Sequence, residues 1–176
     1  MIGARSNLAI REAWPGTKAS PPTLDSYKQS VAGIAAEVIL WDGESIMTSF
    51  YLRLASAQGG GRETMGERLN DPGTRFLPCK VGDQVELLSL NWISYVRVSG
   101  ILPEVSHLEE VGAVRQRARV TVQSGYVLDG EFLYVLPSAR CRLSDLLNLS
   151  EERFLLFLAP AAVMYINRDA IVRVIP

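Results

Sequence analysis

The chain has 176 residues, a formal net charge of −1, 48% hydrophobic and 21% charged residues. That composition belongs to a globular domain and excludes a disordered or collagen-like chain. It offers no global attraction to nucleic acid or to an acidic membrane surface. No apolar run approaches the ~20 residues that a membrane-spanning helix needs.

The opening MIGARSNLAIREAWPG has neither an uninterrupted apolar core nor a small-residue cleavage site, so a signal peptide is not expected. The expected compartment is cytoplasmic. Residues 1–30 carry Pro15-Gly16 and Pro21-Pro22 among scattered polar residues, the composition of an extended arm.

From residue 31 onward the chain repeats itself. AEVILWDGESIMTSFYLRL (Ala36 to Leu54) lies over ARVTVQSGYVLDGEFLYVL (Ala118 to Leu136) at an offset of 82, matching Gly43 to Gly125 and Phe50 to Phe132. LNDPGTRFL matches LNLSEERFL at 78, and LNWISYVRV matches INRDAIVRV at 76. The implied gaps fall at Gln58 to Gly61 and at Gly82-Asp83, glycine-bearing loops that tolerate insertion. The expected organisation is an arm at 1–30, a first copy at 31–102, a connector at 103–114 with one helical turn, and a second copy at 115–176.

Each copy reads as two strands, a short helical turn and three more strands. Val120 and Val122 alternate with Arg119, Thr121 and Gln123, the period of a half-buried strand. Ser124-Gly125 turns into a longer strand, Tyr126 to Leu136, with a bulge expected near Asp129-Gly130. Ser144 is placed to cap the helical turn of RLSDLLN, with Asp145 in its first turn. Strands follow at Phe154 to Leu158, Val163 to Ile166 and Ile171 to Ile175. The fold class expected is all-β with minor α, a tandem of small five-stranded half-open barrels.

Through its motifs RLSDLLN, RFLLFL and INRDAIVRV, the second copy resembles an uncharacterised family of small bacterial proteins. That family's pattern is a glycine-turned strand pair, R-L-S-D-x-L-N, an F-L-x-L strand and an I-N-K-x-x-I-V-x-V ending. The resemblance spans Ala118 to Val174 and implies the fold but no activity. The first copy departs from it, with Gly66-Glu67-Arg68 in place of Ser144-Asp145-Leu146 and Trp92-Ile93 in place of Arg168-Asp169. A weaker resemblance is to Sm-like barrels, which also end in a strand like Ile171 to Val174. It implies RNA binding as an alternative function.

Chemistry-bearing residues are sparse. His107 is the only histidine and lies in the connector, so a Ser/His/Asp or Cys/His constellation has one possible base and no evident partners. Cys79 and Cys141 are scattered and read as inert. Gly59-Gly60-Gly61 lacks the G-x-x-x-x-G-K-[ST] context of a phosphate loop. The pairs Glu109-Glu110 and Glu151-Glu152 read as solvated turns. Trp41 and Trp92 read as filling a core or the seam between copies. No cofactor or metal is expected, and an enzyme is the weakest of the function classes.

The basic residues depart most from the bland pattern. Arg115, Arg117 and Arg119 recur every second residue, so one strand face presents all three. Arg140 and Arg142 repeat the spacing. Residues 113–176 hold eight Arg against six Asp plus Glu; residues 31–106 hold six Lys plus Arg against nine acids. The two copies are thus oppositely biased. A binding or assembly module working through protein contacts, with itself or another protein, is the first expectation. Nucleic-acid binding through the arginines is the second, although no aromatics are interleaved for base stacking. Arginines that simply solubilise a strand edge account for the same pattern. Asn70/Asn148 and Arg75/Arg153 occupy equivalent places and are the twin candidates; a helix-ending asparagine and a carbonyl-capping arginine explain them without a ligand.

Overall fold

The computed structural model describes residues 31–54, 56, 61–100, 102–137 and 142–176. The expected arm, most of the glycine run and both Arg140 and Cys141 lie outside them. Among the described residues the fold is all-β with three short α-helices. The first half contains β1 (Val31–Leu40), β2 (Ser45–Arg53), α1 (Met65–Asn70), β3 (Phe76–Val81), β4 (Gln84–Ser89) and β5 (Ile93–Ser99). A linking helix α2 (Pro103–Glu110) follows. The second half contains β6 (Val114–Val122), β7 (Val127–Tyr134), α3 (Leu143–Leu149), β8 (Phe154–Ala159), β9 (Ala162–Asn167) and β10 (Ile171–Ile175). One 3-10 turn precedes the last strand of each half, at Leu90–Trp92 and Arg168–Ala170.

The expected element order therefore appears twice. The connector is a two-turn helix opened by Pro103, a residue whose fixed φ suits the first helical position. Gly43 (φ 89°) and Gly125 (φ 86°) hold the first hairpin turn of each half in the left-handed region that glycine enters without strain.

All ten strands join one antiparallel sheet in the order β10-β6-β7-β8-β9-β5-β1-β2-β3-β4. Within each half the order is fifth, first, second, third, fourth. The halves meet where the fifth strand of the first, β5, pairs with the fourth strand of the second, β9. Among the described residues β4 and β10 pair on one side only, so they are the two edges.

The pairing registers of the halves coincide. Val38 faces Ile46 as Val120 faces Leu128, and Phe50 faces Cys79 as Phe132 faces Phe157. Both final strands slip register at the same place, beside Leu40↔Ile93 and Val122↔Ile171. Val96 opposite Val38 thus corresponds to Val174 opposite Val120, an offset of 78 for the last strand. The offset of 76, and with it the gap at Gly82-Asp83, is corrected: the backbone bonds Leu90 N–H to Arg75 O and Arg168 N–H to Arg153 O share the same 78. Leu90-Asn91, not Trp92-Ile93, stands where the second half has Arg168-Asp169.

Two further expectations are corrected. The β6–β7 ladder runs from Val114↔Tyr134 to Thr121↔Val127 without a slip, so there is no bulge at Gly130. Gly130 is there because the third strand crosses close above it, where a β-carbon would lie 2.6 Å from the Phe157 ring and closer still to the Leu158 carbonyl. Ser144 is inside α3; Arg142 holds the cap position, and Asp145 accepts its N–H at 3.3 Å.

Two apolar clusters form the interior. Ala36, Val38, Phe50, Leu77 and Val96 anchor the first, which also takes Phe154, Leu156, Val163 and Tyr165 from the second half. Val120, Phe132, Phe157 and Ile166 anchor the other, which takes Ile39 and Tyr95 from the first half. Each buried aromatic or leucine is worth about 2–3 kcal/mol of water exclusion, so the joint between halves is part of the core.

Candidate functional site

The joint is built from strand ends and one asparagine. Along it Tyr95 faces Ile166, Val96 faces Tyr165 and Val98 faces Val163. Alternation along β9 sends Val163 and Tyr165 into the first core and Met164 and Ile166 into the second. Asn70, the last residue of α1, completes the seam. Its Nδ2 donates to the Phe154 carbonyl at 3.0 Å, and the Phe154 N–H donates to its Oδ1 at 2.7 Å. One amide thus satisfies both backbone groups of a buried residue, as a neighbouring strand would. Asn167 makes the second tie, donating to the Ile93 carbonyl at 2.8 Å.

Asn148, the repeat-equivalent of Asn70, does none of this. Its Nδ2 reaches back to the Ser144 carbonyl at 2.7 Å on an exposed surface. Arg75 is exposed, and Arg153 is half-buried with its Nη1 lacking a hydrogen-bond partner. The equivalent pairs therefore hold equal positions in unequal surroundings.

Arg115, Arg117 and Arg119 do share the exposed face of β6. Carboxylates share it too. Arg115 pairs with Glu109 of α2 and with Glu131 at 3.3 Å, and Arg119 meets Asp129 at 2.7 Å. The bond from Asp129 holds the exposed Arg119 guanidinium above its ordinary range. Arg117 stands opposite Glu131 in the ladder. Arg142 caps α3; Arg140 lies outside the described residues. On β6, Arg115 and Arg119 are each ion-paired with carboxylates.

A cleft of about 990 Å³ opens beside the joint, lined by residues including Glu63, Gly66, Glu104, His107 and Tyr165. Glu104 accepts weakly from the Gly66 N–H at 3.4 Å, and burial raises its carboxyl above the usual range, against the pull of Thr64 and Gly66. The Tyr165 hydroxyl and Glu104 Oε1 are buried without a hydrogen-bond partner. Arg68, also buried, stands 3.8 Å from Glu63. Cys79 is a core residue whose thiol burial pushes up. Trp41 and Trp92 stack at 5.8 Å, and Trp41 Nε1 donates to the Ile93 carbonyl. Among the described residues no three His, Cys, Asp or Glu side chains gather as a metal site, and no helix is long and apolar enough to cross a membrane.

The residues that sequence reasoning missed lie on the two edges. On β3 and β4, Phe76, Val85 and Leu87 are exposed; on β10, Val172 and Ile175 are exposed. Cross-strand pairing places Phe76, Leu87 and Val85 on one face of the β3–β4 hairpin. No family model, curated protein or solved structure matches the chain.

Proposed function

We propose that this protein is a non-catalytic binding and assembly module that acts through protein–protein contacts at its sheet edges. The observation that carries the reading is the row Phe76, Val85 and Leu87 beside the edge of β4 that is unpaired among the described residues. An unpaired edge offers a line of backbone donors and acceptors, and apolar side chains beside it favour a protein strand over water. The matching registers support reading the halves as diverged copies of one unit, the second of which resembles the uncharacterised bacterial family. Nucleic-acid binding is the alternative, and the ion pairs of Arg115 and Arg119 weigh against it, because a paired guanidinium has less charge to offer phosphate. The cleft beside Tyr165, with the unpartnered Tyr165 hydroxyl and Glu104 Oε1 in its lining, favours a small-ligand site as a third reading.

Size-exclusion chromatography with light scattering and absorbance at two wavelengths tests the reading. The expected result is protein free of nucleic acid, at a mass above the 19.4 kDa of one chain and little changed by added salt. Co-eluting nucleic acid that high salt releases, and that Arg115→Ala/Arg117→Ala/Arg119→Ala abolishes, would replace it with the alternative.

A further inference from the structure

The joint inside the chain is made by a fourth strand of one half and a fifth strand of the other. Among the described residues the sheet ends in the same two pieces, unpaired on their outer sides: the fourth strand of the first half, β4, and the fifth strand of the second, β10. Resting on the contact-module reading, we infer that the partner is a second copy of this chain, joined head to tail, with β10 of one copy pairing with β4 of the next as β5 pairs with β9.

Burial at equivalent positions carries this inference. Phe154, Val163 and Tyr165 enter the joint and are 1%, 4% and 2% exposed; their equivalents Phe76, Val85 and Leu87 are 58%, 65% and 66% exposed. On the receiving side, Ser94 of β5 is fully buried, whereas its equivalent Val172 is 68% exposed. The free surfaces are therefore those that the internal joint covers, and they carry larger apolar groups than solvent exposure calls for. Asn70 holds the backbone of Phe154 across the joint; Asn148 stands ready at the end of α3 to hold the backbone of Phe76 in the next copy.

The equivalent register sets Val174 opposite Leu87 and Ile175 opposite Glu86, transposed from Val96↔Tyr165 and Arg97↔Met164. It brings Arg173 of the basic half diagonally past Glu86 of the acidic half, a pairing of opposite sign across antiparallel strands. A contact of this kind is heterologous, so it propagates into a ring or a filament instead of stopping at a twofold dimer.

Complementary edge blocking tests the arrangement on full-length chains. One variant carries Val85→Asp and Leu87→Asp, the other Val172→Asp and Ile175→Asp; all four positions are exposed, and circular dichroism checks that each variant folds. Wild type is expected to form species larger than one chain. Each variant alone is expected to lose all species above 19.4 kDa, and an equimolar mixture to regain a one-to-one dimer through the single intact pair of edges. Dimers of either variant alone would show like-with-like pairing and overturn the inference, as would a mixture that stays monomeric. A wild-type chain that stays monomeric, while these same substitutions abolish its binding of a different protein, would overturn self-pairing and leave the contact-module reading standing.

Discussion

Replacing Gly130 with threonine is expected to destabilise the protein by about 3 kcal/mol, although the equivalent residue of the first half, Thr48, is itself a threonine. The difference lies in the strand above. In the first half the third strand places Cys79 there, and Thr48 Oγ1 has room to donate to the Lys80 carbonyl at 2.9 Å. In the second half a β-carbon at Gly130 would meet the Leu158 carbonyl first and then the ring of Phe157, which packs edge-on against Phe132 at 5.0 Å. Small and large residues have changed places as a pair. Phe157→Cys alone should cost about 3 kcal/mol through the cavity it leaves. The double variant Gly130→Thr/Phe157→Cys should cost less than the sum by about 1 kcal/mol, because losing the ring removes its share of the clash and the threonine fills part of the cavity, while the contact with the Leu158 carbonyl remains. Urea unfolding midpoints of the four proteins measure this coupling. Strict additivity would mean that the halves are not alternative packings of one unit.

Asn70→Ala is expected to cost about 3 kcal/mol, since it strips partners from both the N–H and the carbonyl of Phe154, a residue that is 1% exposed. Asn148→Ala should change monomer stability by no more than about 0.5 kcal/mol, as an exposed substitution away from any packed seam. Thermal unfolding under conditions where the chain is monomeric separates the two. Equal losses would contradict the assignment of Asn70 to the joint. The idea of twin binding positions predicts small losses at both sites, so a large loss at Asn70 also disposes of that.

The succession of elements along the chain is legible in the sequence because period-two alternation and the glycine turns are local signals, whereas their order in the sheet is not. Ile171–Ile175 was placed to the residue. The two-residue error in the last strand has a physical origin: a shift of two preserves the pleat, so Val-Arg-Val fits both registers with the same faces inward. Only the ladder opposite β1 and β6 distinguishes them. Gly130 shows the converse. A glycine in a strand signals either a bulge or a close approach, and the choice depends on Phe157, which is far along the chain. The arginine face was legible as a face, but its neutralisation by Asp129 and Glu131 follows from cross-strand register. The joint and the edges were not legible at all. Pairing of β5 with β9 joins segments about 70 residues apart and leaves no periodic trace, and Phe76, Val85 and Leu87 look like core residues until the sheet order puts them at its border.

Disulfide trapping on a Leu87→Cys/Val174→Cys chain tests the central claim most directly. Directly opposed residues of antiparallel strands have Cα atoms about 4.5–5.5 Å apart, inside the span a disulfide bridges. If the edges repeat the internal joint, mild oxidation yields a ladder of covalent oligomers in steps of one chain, reversed by reductant, and the wild-type chain, with its own Cys79 and Cys141, yields none. A double-cysteine chain that associates in solution yet gives no such ladder would contradict the head-to-tail register.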